Sequence, residues 1–90
     1  MRLPDAEAVE DFIGAEVYLA CCIYEDVYVV DVETRDAAER AALYLRALLP
    51  VRESFFRQIK LWHDDKPKDE GIRLTLVLDM DQLRERSNRH

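Results

Sequence analysis

The chain has 90 residues, 49% of them hydrophobic, with two glycines, three prolines and a formal net charge of −6. These values describe one domain with enough apolar material for a core, and they argue against a disordered or disulfide-stapled scaffold. The acidity argues against direct nucleic-acid binding, which needs a basic footprint, and no apolar run is long enough to span a bilayer. The N-terminus, from Met1 to Ala6, has no apolar signal core, so a cytoplasmic location is expected.

The chain order begins with a helix expected over residues 4–13. Pro4 suits a first turn and Gly14 a helix end, while Ala6, Val9, Phe12 and Ile13 recur at helical spacing opposite Glu7, Glu10 and Asp11. Residues 15–23 and 27–33 are rich in Val, Tyr and Ile and read as a hairpin turning at Glu25 and Asp26. The adjacent Cys21 and Cys22 point to opposite faces of a strand and have no further cysteine to pair with, so one small core residue and one surface thiol are expected.

A second helix is expected after Asp36, read as a capping residue with Glu39 three positions on. Its apolar stripe is Ala38, Ala41, Ala42, Leu45, Leu48 and Leu49, closed by Pro50. A strand over residues 54–62 places Phe55, Ile59 and Leu61 on one face, with Phe56, Gln58, Lys60 and Trp62 on the other. Residues 64–71 read as a charged loop. Ile72, Leu74, Leu76, Leu78 and Met80 then alternate with Arg73, Thr75, Val77 and Asp79 as a half-buried strand. Residues 82–90 are expected to begin a short helix and then fray, so a single α+β domain over residues 1–83 is expected with residues 84–90 as a frayed tail. The order αββαββ fits a permuted ferredoxin-like sandwich: a four-stranded antiparallel sheet with two helices on one face.

Charge is concentrated within this order. Residues 1–33 hold nine acids (Asp5, Glu7, Glu10, Asp11, Glu16, Glu25, Asp26, Asp31, Glu33) and one base, Arg2, a net of 1 − 9 = −8. The remaining twelve bases and ten acids give 12 − 10 = +2, so the first helix and hairpin supply the whole net charge. A patch of Glu7, Glu10, Asp11, Glu16, Glu25 and Asp26 would suit a partner protein with a basic surface.

The helix-free face is the second candidate. If Leu74, Leu76 and Leu78 face the helices, then Arg73 faces away. Either Tyr18, Ala20, Cys22 and Tyr24 or Val17, Leu19, Cys21 and Ile23 face away beside it, and Phe56, Gln58, Lys60 and Trp62 are expected at the other edge. With Tyr18, Tyr24, Phe56, Lys60, Trp62 and Arg73 the face is too apolar to be left wet and suits homodimer pairing. The third candidate is Trp62-His63-Asp64-Asp65, a histidine beside two aspartates. It lacks the companion spacing of a metal or catalytic site, so no metal, cofactor or catalytic residue is expected. No glycine-rich phosphate loop is available with Gly14 and Gly71 as the only glycines.

The expected function is therefore a non-catalytic inhibitor or regulator that binds a basic partner surface, of the kind that holds nucleic acid, by charge mimicry. Phage anti-defence (anti-CRISPR-like) inhibitors, immunity proteins and antitoxins are classes of this kind. The alternatives are a dimeric ligand-binding or sensory domain pairing through its helix-free face, and a small cofactor-free enzyme using His63 with a tyrosine.

Overall fold

The structure, a computed structural model, describes residues 3–63 and 66–87. Its elements are α1 (Ala6–Ile13), β1 (Val17–Tyr24), β2 (Val27–Val32), α2 (Arg35–Leu48), β3 (Val51–His63), β4 (Lys66–Leu78) and α3 (Met80–Ser87). The class is α+β, and the strands form one antiparallel sheet in the order β1-β2-β4-β3.

Local chemistry sets the helix ends. The Asp5 carboxylate accepts the Ala8 N–H at 2.9 Å and starts α1, while Gly14 ends it at φ 67°, a left-handed turn that glycine adopts without a Cβ penalty. For α2 the cap is Thr34, two residues before the expected Asp36: its hydroxyl accepts the Ala37 N–H at 3.1 Å. Asp36 instead faces solvent and pairs with Arg40 at 3.1 Å, as Glu39 does with Arg35 at 3.6 Å.

The core lies between the helices and one side of the sheet. Tyr28, Val30 and Val32 of β2 and Leu74, Leu76 and Leu78 of β4 are buried there against Val9, Ile13, Ala38, Ala41 and Leu45. The register pairs Tyr28 with Leu76 and Val30 with Leu74, so both central strands present their large side chains to the helices together. Four alanines, Ala37, Ala38, Ala41 and Ala42, form the buried stripe of α2 and let its backbone approach the sheet closely. Each fully buried valine or leucine contributes about 1.5–3 kcal/mol.

Three expectations are corrected by the strand ends. Most of the expected charged loop is strand, because β4 begins at Lys66 and pairs with β3 through Trp62 opposite Pro67 and Lys60 opposite Glu70. Asp64 and Asp65 lie outside the described residues. Met80 does not continue β4 but opens a third helix, since the Asp79 carboxylate accepts the Gln82 N–H at 3.1 Å and caps it. Finally, α3 carries the chain helically through residues 84–87, where a frayed tail was expected, and Arg86 donates to the Leu48 carbonyl at 3.0 Å. Residues 88–90 lie outside the described residues.

β3 and β4 each run for 13 residues, whereas β2 has six, so β4 pairs with β2 only from Ile72 onward. The overhanging end of the β3–β4 hairpin curls over the helix-free side toward β1. Leu61, Val29 and Thr75 are buried there, outside the main core. The helix-free face is therefore only partly open.

Candidate functional site

The acidic unit is built by α1 and the β1–β2 hairpin. The Tyr28 hydroxyl, near the hairpin turn, donates to the Pro4 carbonyl at 2.5 Å, which ties the N-terminal end of α1 toward the turn that carries Glu25 and Asp26. Burial pushes the Tyr28 hydroxyl pKa up to about 12, the nearby thiols of Cys22 and Cys21 and the carboxylate of Asp5 adding smaller contributions.

The nine acids of residues 1–33 then divide by what they touch. Asp5 caps α1, and the half-buried Glu10 carboxylate accepts the Val17 N–H at 2.8 Å, fixing the start of β1. Glu33 accepts the Tyr18 hydroxyl at 2.6 Å, and Asp31 is paired with Arg73. Glu10 is thus a structural strut as well as a member of the expected patch. The carboxylates of Glu7, Asp11, Glu16 and Glu25 are exposed and make no hydrogen bond or ion pair with another described residue. Asp26 is half-buried, and its backbone carbonyl accepts the Leu78 N–H at 2.7 Å.

A cleft of about 250 Å³ opens where the hairpin end curls toward β1, lined by Tyr18, Leu19, Asp31, Lys60, Leu61, Trp62 and Arg73. Its floor is a bidentate ion pair: Arg73 Nε and Nη2 donate to the two Asp31 oxygens at 2.8 and 2.9 Å. That bonding raises the Arg73 pKa further above its ordinary value, although partial burial opposes it. A β-bulge between Val17 and Leu19 turns Tyr18 and Leu19 together toward this cleft.

Four of the residues expected on the helix-free face, Tyr18, Lys60, Trp62 and Arg73, meet around this one cleft. The other two do not. Tyr24 stands 72% exposed at the far end of β1. Phe56 lies on the opposite side of the sheet, because its register partner is Leu74, which faces the helices, while Phe55 pairs with Thr75 on the helix-free side. The expectation that put Phe56 on the helix-free face is overturned by this register, and the Arg35 guanidinium stacked 4.2 Å over Phe56 identifies the helix side. Trp62 rejoins the cleft because β3 shifts register between Lys60 and Trp62.

One apolar surface escaped sequence reasoning. Phe12, expected in the core, is 62% exposed, and its ring stacks on Tyr44 with centroids 4.2 Å apart. Together with Leu43, Ala47, Leu48 and the stem of Arg40 they line a groove of about 400 Å³ on the outside of α1 and α2. The signal was present: Leu43, Tyr44, Ala47 and Leu48 make a second apolar stripe beside the alanine stripe of α2.

Cys21 is half-buried and Cys22 exposed, both as free thiols, and burial and the neighbouring Cys21 raise the Cys22 pKa, which weakens it as a nucleophile. Among the described residues no three His, Cys, Asp or Glu side chains gather to hold a metal ion, and no helix is long and apolar enough to cross a membrane. In comparisons with known protein families, curated proteins and solved structures, the chain matches none.

Proposed function

We propose that this chain is a small, non-catalytic protein-interaction domain whose N-terminal unit docks on a basic surface of a partner protein inside the cell. The observation that carries the reading is the uncompensated charge on that unit. The carboxylates of Glu7, Asp11, Glu16 and Glu25 are exposed and partnerless among the described residues. Residues 3–33 contain no base with which to neutralise them. Like charges on one helix face cost stability, about 0.2–0.5 kcal/mol for Glu7 with Asp11 at i, i+4, so the array works against folding and in favour of an external cation. An inhibitor that occupies a basic groove in place of nucleic acid would have this surface. Phage anti-defence inhibitors, immunity proteins and antitoxins are the classes to which the reading points.

The strand order β1-β2-β4-β3, with β2 and β4 central, supports describing the architecture as a permuted ferredoxin-like sandwich extended by α3. That description concerns shape and lends no activity to the chain.

The test is capture of the partner from the native host or its target cell, followed by an affinity titration from about 0.05 to 0.5 M salt. Affinity should fall at least about tenfold over that range, and neutralising Glu7, Asp11, Glu25 and Asp26 to Gln or Asn should reproduce the loss at low salt. An affinity that is flat in salt and indifferent to those substitutions refutes the proposal.

A further inference from the structure

β1 is an edge strand. It pairs with β2 on one side and with no other described strand, so the N–H and C=O groups of its alternate, outward-pointing residues have no ladder partner. Sheet edges are ordinarily blunted by charged residues or proline. The opposite edge follows that rule, since β3 carries Arg52, Glu53, Arg57 and Lys60. β1 breaks it: from Val17 to Tyr24 there is no charged residue, no proline and no glycine. Register shifts near both ends leave residues 19–22 in regular pairing, and exposure rises along the strand to 45% at Ile23. The end of β3 faces β1 across the cleft at Tyr18 and Leu19, which leaves residues 20–24 as the open stretch.

We propose that residues 20–24 receive an extended segment of the partner by strand addition, and that this segment carries Lys or Arg where it passes Glu25 and Asp26. The inference rests on the reading of the acidic unit as a docking surface and names the mode of docking. Main-chain hydrogen bonds to the edge would hold the segment, and the carboxylates beyond the strand end would select its charge. Charge also decides the occupant. A second copy of this chain, added two-fold and antiparallel about Cys21, would set Glu16 of each chain opposite Asp26 of the other, like charges about 4.5–5.5 Å apart. A segment with basic ends meets opposite charge there instead.

The probe is a short peptide of alternating Val and Thr ended by Lys pairs, compared with the same peptide ended by Glu pairs. Binding is read on the full isotope-labelled chain by amide hydrogen exchange and chemical-shift mapping. The Lys-ended peptide should slow exchange of the outward amides of residues 20–24 by about tenfold or more at saturation, and the Glu-ended peptide should bind at least about tenfold more weakly. Ile23→Lys, at an exposed edge position, should remove that protection while leaving the melting temperature unchanged. Glu25→Lys with Asp26→Lys should invert the preference between the two peptides. Protection of the edge amides by concentration-dependent dimerisation of the chain alone would overturn the proposal, because a second copy would then be the occupant. If the Lys-ended peptide shifts resonances of α1 and leaves residues 20–24 unprotected, strand addition falls while the acidic docking surface stands. If it binds nowhere on the chain and a captured partner shows no salt dependence, both readings fall.

Discussion

Gly71→Ala tests the curl that builds the cleft. A Cβ at this position would lie 2.6 Å from the Val32 carbonyl oxygen, 2.6 Å from Leu61 Cγ and 2.7 Å from Leu61 Cδ1. Ordinary contact begins at 3.4 Å, so the neighbours must yield by 3.4 − 2.6 = 0.8 Å. The carbonyl belongs to β2 at the centre of the sheet, and Leu61 is 1% exposed, so neither has free space into which to move. Overpacking of this kind costs about 1–3 kcal/mol. Loss of glycine's backbone freedom in the unfolded chain offsets about 0.4–1 kcal/mol of that. The net is about 1–2 kcal/mol, or a fall in Tm of roughly 4–15 °C for a domain of this size, measured by calorimetry or circular dichroism. Leu61→Ala in the same chain removes one of the two clashing groups, so the pair should be less destabilising than the sum of the single changes, by about 0.5–1 kcal/mol. A Gly71→Ala protein that melts within about 1 °C of the parent would show that the hairpin does not press on β2 at this point.

Asp31→Asn leaves the Arg73 guanidinium half-buried without its carboxylate, and should cost about 1–3 kcal/mol in chemical denaturation, whereas Asp31→Asn with Arg73→Met should recover part of that loss. Thr34→Ala should cost about 1 kcal/mol by removing the α2 cap, while Asp36→Ala should cost less, the reverse of the order that the sequence alone implies. Absorbance titration of the tyrosines should show one phenol ionising near pH 12, absent in Tyr28→Phe. Because the folded state holds that proton above the unfolded pKa of about 10, stability should be intact below that pH and decline as pH rises toward 12. Phe12→Ala should lower stability by no more than about 1 kcal/mol despite the size of the side chain, since the ring is mostly in water and gives up chiefly its stacking on Tyr44. A loss of about 3 kcal/mol or more, the cost of a core aromatic, would place Phe12 in the core after all.

The elements that were legible in the sequence are those governed by local periodicity and short-range hydrogen bonding. Gly14 closes α1 because a left-handed turn suits glycine, and Leu74, Leu76 and Leu78 face the helices because side chains alternate along a strand. The concentration of acids in residues 1–33 is likewise a property of the chain, and it alone motivates a basic partner. What the sequence left undecided is whatever depends on how elements meet. Alternation separates Phe55 from Phe56 but does not say which faces the helices; pairing of β3 with β4 decides it. The length of the β3–β4 hairpin was hidden because cross-strand partners carried charged residues such as Lys66 and Glu70 into strand conformation. Phe12 left the core because α1 turns its Val9 and Ile13 inward and offers its remaining apolar flank to Tyr44. Most consequentially, only tertiary structure sorts the acids: Asp5, Glu10, Asp31 and Glu33 find donors far away in sequence or across a turn, which leaves Glu7, Asp11, Glu16 and Glu25 facing outward. The chain determines how much charge it carries, and packing decides which part of that charge remains available to a partner.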